Sequence, residues 1–291
     1  MQKIMKKTIL KISTIIAVSL SIAACQKFER PALGDYPSDT PVVPTTALRF
    51  FVPFDSTKTD AKQLNIRFGD EVSGRPSFFI DKAISYDQGI SGTAYKGANG
   101  VAVRYLDAND MKSATSFTVA FWLKQTVQAA SGRTEFYLSL ADDTYGWGHS
   151  ALFMMVEHVT QTDATVKVGV MDQWLEFAGD NKLKTNMYDG NWHHWAMTYD
   201  ETTSKMTYFV DGVMLVAPAA ATDVKKDGAP RGKLDFSKAS GFVIGGWNAQ
   251  AGLTGPTDDW VKSYTGSLDQ FRLYNKALTA AEVKELFDGK K

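Results

Sequence analysis

The sequence predicts an all-β fold, a two-sheet antiparallel β-sandwich of jelly-roll type closed by one short C-terminal helix. Three observations lead there. Residues 189–216 carry three strand signals within 28 positions. About a dozen short apolar runs alternate with period two along the rest of the chain, bounded by Gly-, Pro- and Asp-rich turns. A helical period with caps occurs only near the C-terminus, at 280–288.

Taken in order, the domain begins at residue 46. Residues 48–54 read as a strand that Pro53 ends or holds at a sheet edge, because proline has no N–H to give to a ladder. Residues 60–92 are polar and loop-rich, with a short strand at 78–80. Gly89, Gly92, Gly97 and Gly100 mark turns and no phosphate loop, since the spacing is wrong and no Lys-Ser/Thr pair follows. Strands follow at 101–105 and 116–124, the second placing Phe117, Val119, Phe121 and Leu123 on one face. Further strands are expected at 136–141, 151–156 and 165–171, with Tyr145-Gly146-Trp147-Gly148-His149 in a loop between two of them.

The centre of the domain is 192–216. His193, Trp195, Met197 and Tyr199 face one way, and Trp192, His194, Ala196 and Thr198 the other. Both faces are largely apolar, so this strand is covered on both sides. A polar turn at 200–204 leads to a strand at 206–210, and Asp211-Gly212 turns the chain at once into 213–216, a strong hairpin signal. A strand at 241–248 runs into a loop carrying Trp260, and the last strand covers 264–274. Thr279 then caps a helix, Glu282 completes a capping box, and Leu278 staples onto Val283. Val283, Leu286 and Phe287 form its apolar stripe, and Gly289 stands at the C-cap.

The N-terminal segment sets the compartment. Lys3, Lys6, Lys7 and Lys11 precede an apolar stretch at 12–22 that is too short for a comfortable membrane span. It ends in Ile22-Ala23-Ala24-Cys25, which resembles a bacterial lipobox. That resemblance implies cleavage after residue 24 and acylation of Cys25, the only cysteine, leaving a domain without disulfides. Residues 25–45 hold four of the nine prolines and read as a tether. Gln26, Lys27 and Glu29 lack the acidic cluster that follows the cysteine in some surface-exported lipoproteins. The expected address is the bacterial cell envelope, at the outer membrane. Net charge is zero over the whole chain and about −4 without the first 24 residues, 28 basic groups against 32 acidic. That balance argues against a nucleic-acid partner, which needs a basic patch.

Four stretches together carry a family resemblance: 117–124 (FTVAFWLK), 189–200 with 206–215 (DGNWHHWAMTYD, MTYFVDGVML), 242–248 (FVIGGWN) and 264–287 (YTGSLDQFRLYNKALTAAEVKELF). They resemble the laminin-G-like, concanavalin A-like lectin/glucanase jelly roll over residues 46–288. The resemblance implies a fold that hosts lectins, adhesive modules and glycosidases alike. It also implies calcium: in such relatives an aspartate placed like Asp269 often helps hold a calcium ion with oxygens near the first strand, which brings in Asp55 and Asn99. A rim hydrogen bond or ion pair for Asp269 is the other reading. Strand alternation puts Asp269 on the apolar face of Phe271 and Leu273, where a carboxylate needs a partner.

For catalysis the sequence offers little. Glycosidases need two carboxylates flanking the scissile bond, and related glucanases carry them as Glu-x-Asp-x-(x)-Glu on one strand face. No such string occurs. Asp142-Asp143 and Asp258-Asp259 are adjacent pairs in loops, and Glu157 and Glu176 have no acidic partner two residues on. No residue is assigned a catalytic role. His193 and His194 point to opposite faces and cannot chelate one ion, and no zinc spacing exists. Binding is the better expectation, because sugar rings stack on exposed aromatic faces while carboxylates and amides meet their hydroxyls. Trp147, with Tyr145, Asp142, Asp143 and His149, is the first candidate. Trp247, Asn248, Trp260 and Asp259 are the second. The expected partner is carbohydrate or an envelope protein. A glycoside hydrolase with scattered carboxylates and an adhesive domain remain the alternatives.

Overall fold

In the computed structural model, which describes residues 45–55, 67–78, 84–106 and 111–290, the alternating runs become two large sheets packed face to face. The first runs, in spatial order, β13 (Val213–Met214), β12 (Lys205–Val210), β11 (His193–Asp200), β5 (Phe117–Lys124), β18 (Ser267–Tyr274), β3 (Thr93–Lys96) and β2 (Ser85–Gln88). β1 (Leu48–Val52) takes over the edge of β18 where β3 leaves it. The second runs β10 (Leu183–Lys184), β8 (Asp163–Val170), β7 (Ser150–Glu157), β6 (Thr134–Ala141), β16 (Gly241–Ile244) and β4 (Val103–Tyr105). β9 (Gln173–Phe177) pairs with β8, and β17 (Val261–Ser263) lies parallel to β6. A small ribbon, β14 (Lys225–Lys226) with β15 (Ala229–Pro230), stands apart.

The core forms where the period-two pattern points inward from both sheets. Phe117, Val119, Phe121 and Leu123 of β5 and Trp195, Met197 and Tyr199 of β11 all lie in it. Phe121 stacks on Phe271 of β18 at 5.1 Å. Phe50 of β1 reaches across to Tyr105 (4.8 Å) and Phe242 (5.3 Å) of the second sheet. Fully burying each such ring contributes about 1.5–3 kcal/mol.

The opposite face of β5 and β11 is covered as well, which is why both faces of these strands read as apolar. Short helices α1 (Val127–Ala130) and α2 (Ala219–Thr222) lie in connections, whereas α3 (Ala280–Asp288) lies on the outside of the first sheet. Ala120 and Ala196 keep the sheet surface low, so Leu278 and Val283 pack close against it. Phe287 stacks on Trp122 at 5.5 Å. The capping box forms as the sequence predicts: Glu282 N–H donates to Thr279 Oγ1 (3.3 Å) and Thr279 N–H to Glu282 Oε2 (2.8 Å).

Several expectations shift. The loop-rich region contains the β2–β3 hairpin, whose strand residues Ser85, Asp87 and Gln88 are too polar to signal an edge strand. β9 and β17 were not visible as separate strands, and the last long strand starts at Ser267. Phe78 makes an isolated bridge to Arg104, while Phe79 and Ile80 lie outside the described residues, as do residues 1–44 with Cys25 and nearly all of the tether.

Candidate functional site

The loop between β6 and β7 is held from both sides. Asp142 N–H donates to the His149 carbonyl (2.9 Å), and Thr144 N–H donates to the Asp142 carboxylate (2.8 Å). From beneath, Trp247 Nε1 donates to the Gly148 carbonyl (3.0 Å) and Asn248 Nδ2 to the His149 carbonyl (2.6 Å). Trp247 and Asn248 are fully buried, the first between Phe136 (4.2 Å) and Phe153 (4.8 Å), the second bonded to Ser139. Both were candidates for touching a ligand. Burial makes them supports of the loop instead, and the same holds for Asp142.

This support lays Trp147 on the outer face of the second sheet between two other indoles. Trp147 stacks on Trp260 at 5.4 Å and 20°, on Trp174 at 6.2 Å and 28°, and stands edge-on over Trp247 at 5.1 Å. Such separations are those of offset rings, which leave part of each face uncovered. Trp147, Trp174 and Trp260 are accordingly 46%, 39% and 42% exposed. Trp147 Nε1 donates to Asp258 (3.2 Å), fixing the middle ring. Exposed aromatic side chains gathered on one face make this a candidate interaction surface.

Trp174 reads from the sequence as an aromatic at a loop or strand end and belongs to neither candidate cluster, although its signal is present. In β9, Leu175 and Phe177 enter the core, so Trp174 and Glu176 face outward. Its register partner on β8 is Gly169. A Cβ there would collide with the Phe153 ring, so this glycine lets Phe153 lie flat and Trp174 meet it edge-on at 4.9 Å.

Polar groups border the row. Lys167 pairs with Glu157 (2.8 Å) and, more distantly, with Glu176 (4.0 Å), and its ammonium lies 5.9 Å from the Trp174 ring. Thr134 Oγ1 donates to Glu157 (3.3 Å). Glu157 and Glu176 stand on β7 and β9, either side of β8, a juxtaposition that no search along one strand can find. Asp259 is exposed beside Trp260. Asp143 meets His149 Nδ1 (3.1 Å), and the Tyr145 hydroxyl donates to the Met171 sulfur (2.8 Å).

The expected cation site lies on the first sheet, with one correction. The register of β18 against β5 slips between Asp269 and Arg272, and Gln270 sits there at φ +47°. Asp269 is therefore opposite Trp122, on the outer face, and does not share the face of Phe271 and Leu273. One inserted residue, a β-bulge, defeats the alternation. The 89–92 turn buries Asp269: its carboxylate accepts from Ile90 N–H (2.8 Å) and Gln270 N–H (2.7 Å), while Asp55 accepts from Thr93 N–H (2.5 Å). A Cβ on Gly89 would strike the Asp269 carboxylate, and one on Gly92 that of Asp55. Burial pushes Asp269 up to about 7, against the N–H bonds that pull it down and with a further push from the Asp55 charge. These two carboxylates are hard oxygen donors that suit calcium, which takes six to eight oxygens. Among the described residues no group of three or more His, Cys, Asp or Glu converges on a metal position, so backbone carbonyls would have to complete the shell. Asn99 is engaged elsewhere, accepting from Arg133 (3.1 Å), which pairs with the buried Glu135.

The paired histidines serve structure. His193 bridges Asp211 (2.8 Å) and Asp189 (3.2 Å), and these bonds raise it above the usual imidazole range. His194 is fully buried on the opposite face, tilted against Trp122 at 5.2 Å, and desolvation lowers it to about 4.

Among solved structures, domain 4 of AbnA, a GH43 extracellular arabinanase from Geobacillus stearothermophilus in complex with arabinotriose, gives a TM-score of 0.53 at 18% identity, over 82% of this chain and 97% of that one. The receptor-binding domain of a botulinum neurotoxin C/D mosaic serotype gives 0.55 at 11% identity, over 84% and 51%. A Trypanosoma rangeli sialidase mutant displaying trans-sialidase activity gives 0.52 at 15%, over 84% and 33%. This chain thus spans about half of the neurotoxin chain and a third of the sialidase. At these identities the likeness is one of fold. No curated protein matches the chain. A family model described as the concanavalin A-like lectin/glucanases superfamily, of laminin G type, matches residues 96–284, and the chain belongs to that family.

Proposed function

We propose that this chain is a lipid-anchored cell-envelope protein whose sandwich domain binds carbohydrate, without catalysis, through Trp147, Trp174 and Trp260. The observation that carries the reading is the row itself: three offset, half-exposed indoles, the middle one on a loop locked from beneath by buried bonds. Partly bare indole faces offer stacking surface to sugar C–H groups, and Asp258, Asp259 and Glu176 offer acceptors to hydroxyls. Family membership supports a sugar-directed role, and the solved arabinanase domain with arabinotriose is one fold relative that holds a neutral oligosaccharide. Anchoring rests on Cys25 and its lipobox. No helix among the described residues is long and apolar enough to cross a membrane. Asp55 and Asp269 would hold calcium as a scaffold ion at the 89–92 turn, remote in role from the tryptophan row.

A second reading has one observation in its favour. Glu157 and Glu176 flank Lys167 on the same face as the row, which is where a hydrolase would need its acids. One experiment separates the two. The full chain in a polyoxyethylene detergent is offered a broad polysaccharide panel, with tryptophan fluorescence and reducing-end release followed together. Fluorescence change without sugar release is the expected result. Release of reducing ends would replace binding with hydrolysis. Silence on every glycan, with capture of an envelope protein, would leave the adhesive role.

A further inference from the structure

The proposed glycan face also carries a charge pattern, and from it we infer that the row selects extended neutral glycans and excludes acidic ones. The inference rests on the carbohydrate reading and deepens it. The charged groups along the row are Asp258, hydrogen-bonded to Trp147, Asp259 beside Trp260, and Glu176 with Glu157 beyond Trp174. Among the described residues the cation in contact with the row's rings is Lys167, whose ammonium is engaged by Glu157 at 2.8 Å, and Glu157 also meets His158 at 3.8 Å. Carboxylates therefore border the row, and among the described residues no arginine makes a cation–π contact with its indoles, whereas a guanidinium fork is what recognises uronates, sialic acids or sulfates. A sugar carboxylate stacked here would be brought against like charges at a partly desolvated aromatic surface. Neutral hydroxyls would instead donate to these same oxygens.

The length of the row adds a second restriction. Trp147 lies between its neighbours at ring-centroid distances of 6.2 and 5.4 Å, with planes 28° and 20° apart, so the three indoles together present a surface longer than one sugar ring. A monosaccharide is too short to touch all three, and an oligosaccharide can. Affinity should therefore climb with chain length until the row is filled.

The test uses the full chain in a polyoxyethylene detergent, titrated at low salt with arabinotriose, xylotetraose, cellotetraose and tetragalacturonate and with the matching monosaccharides. The expected result is binding of at least one neutral oligomer, more than tenfold tighter than its monosaccharide, and no binding of tetragalacturonate. The double variant Glu176→Gln/Asp259→Asn keeps an acceptor oxygen at each position but removes two charges, and it should narrow the gap between tetragalacturonate and the neutral oligomers. Wild-type binding of tetragalacturonate as tight as that of the neutral oligomers would overturn the inference while leaving the carbohydrate reading in place. Equal affinity for monomer and oligomer would overturn the length requirement. Binding of none of the probes, neutral or acidic, would remove the underlying reading and this inference with it.

Discussion

At the scale of single residues, two buried titratable groups give the protein opposite pH dependences. Asp269 holds its proton more tightly folded than unfolded, with a folded value of about 7 against 3.8. Its contribution is complete below pH 3.8 and is lost as pH rises through about 7. His194 is held near 4 against 6.5, so its contribution is complete above pH 6.5 and is lost as pH falls through 4. The two windows overlap between about pH 4 and 6.5, where the opposite slopes offset each other, so the melting temperature should stay nearly level there. Asp269→Asn should unmask a Tm that rises by several degrees from pH 4 to 6.5, and His194→Phe, which keeps the ring beside Trp122, one that falls from pH 4 to about 7. If the Asp55–Asp269 pair holds calcium, adding calcium should raise Tm at pH 8, where Asp269 is ionised, and have little effect at pH 5. An equal effect at both would place the ion elsewhere. Residue-level legibility was uneven. Trp147 and Trp260 stood out because glycines and aspartates flank them, but nothing in the sequence reports the inserted residue at Gln270 that turns Asp269 to the other face.

Among elements, α3 was the most legible because its determinants are local. Cap, box, staple and stripe all fall within Leu278 to Gly289, and each forms as the spacing predicts. Replacing Thr279 by Ala should cost about 1 kcal/mol, read as a fall in Tm of about 2–4 °C. Ala120→Leu should cost about 1–3 kcal/mol by overfilling the space under the helix, although an exposed-strand reading of Ala120 would predict no loss. The strands that the sequence does not announce have non-local determinants. β2 is polar because it is a sheet edge, and β17 pairs in parallel with a strand more than 120 residues earlier, a partnership that no short window contains.

Across the whole molecule, the two outer faces have been treated differently. The first sheet is closed by α3, whereas the second keeps its aromatic surface open. The sandwich class followed from periodicity alone, yet the meeting of Trp147, Trp174 and Trp260 depends on which strands become neighbours, and that is decided by topology. If the lipid anchor is Cys25, Cys25→Ser should move the protein from the membrane fraction to the soluble one while leaving its melting curve unchanged. Retention in the membrane fraction would mean another attachment.

The most direct test of the tryptophan row is the affinity of Trp174→Ala for whichever neutral oligosaccharide the wild type binds, measured beside its melting curve. Trp174 lies at the end of the row and its loss leaves the Trp247 support intact. The expected result is at least a tenfold weaker Kd, a difference of about 1.4 kcal/mol, with Tm lowered by no more than a few degrees. An unchanged Kd in the folded variant would contradict the assignment of this face as the binding site.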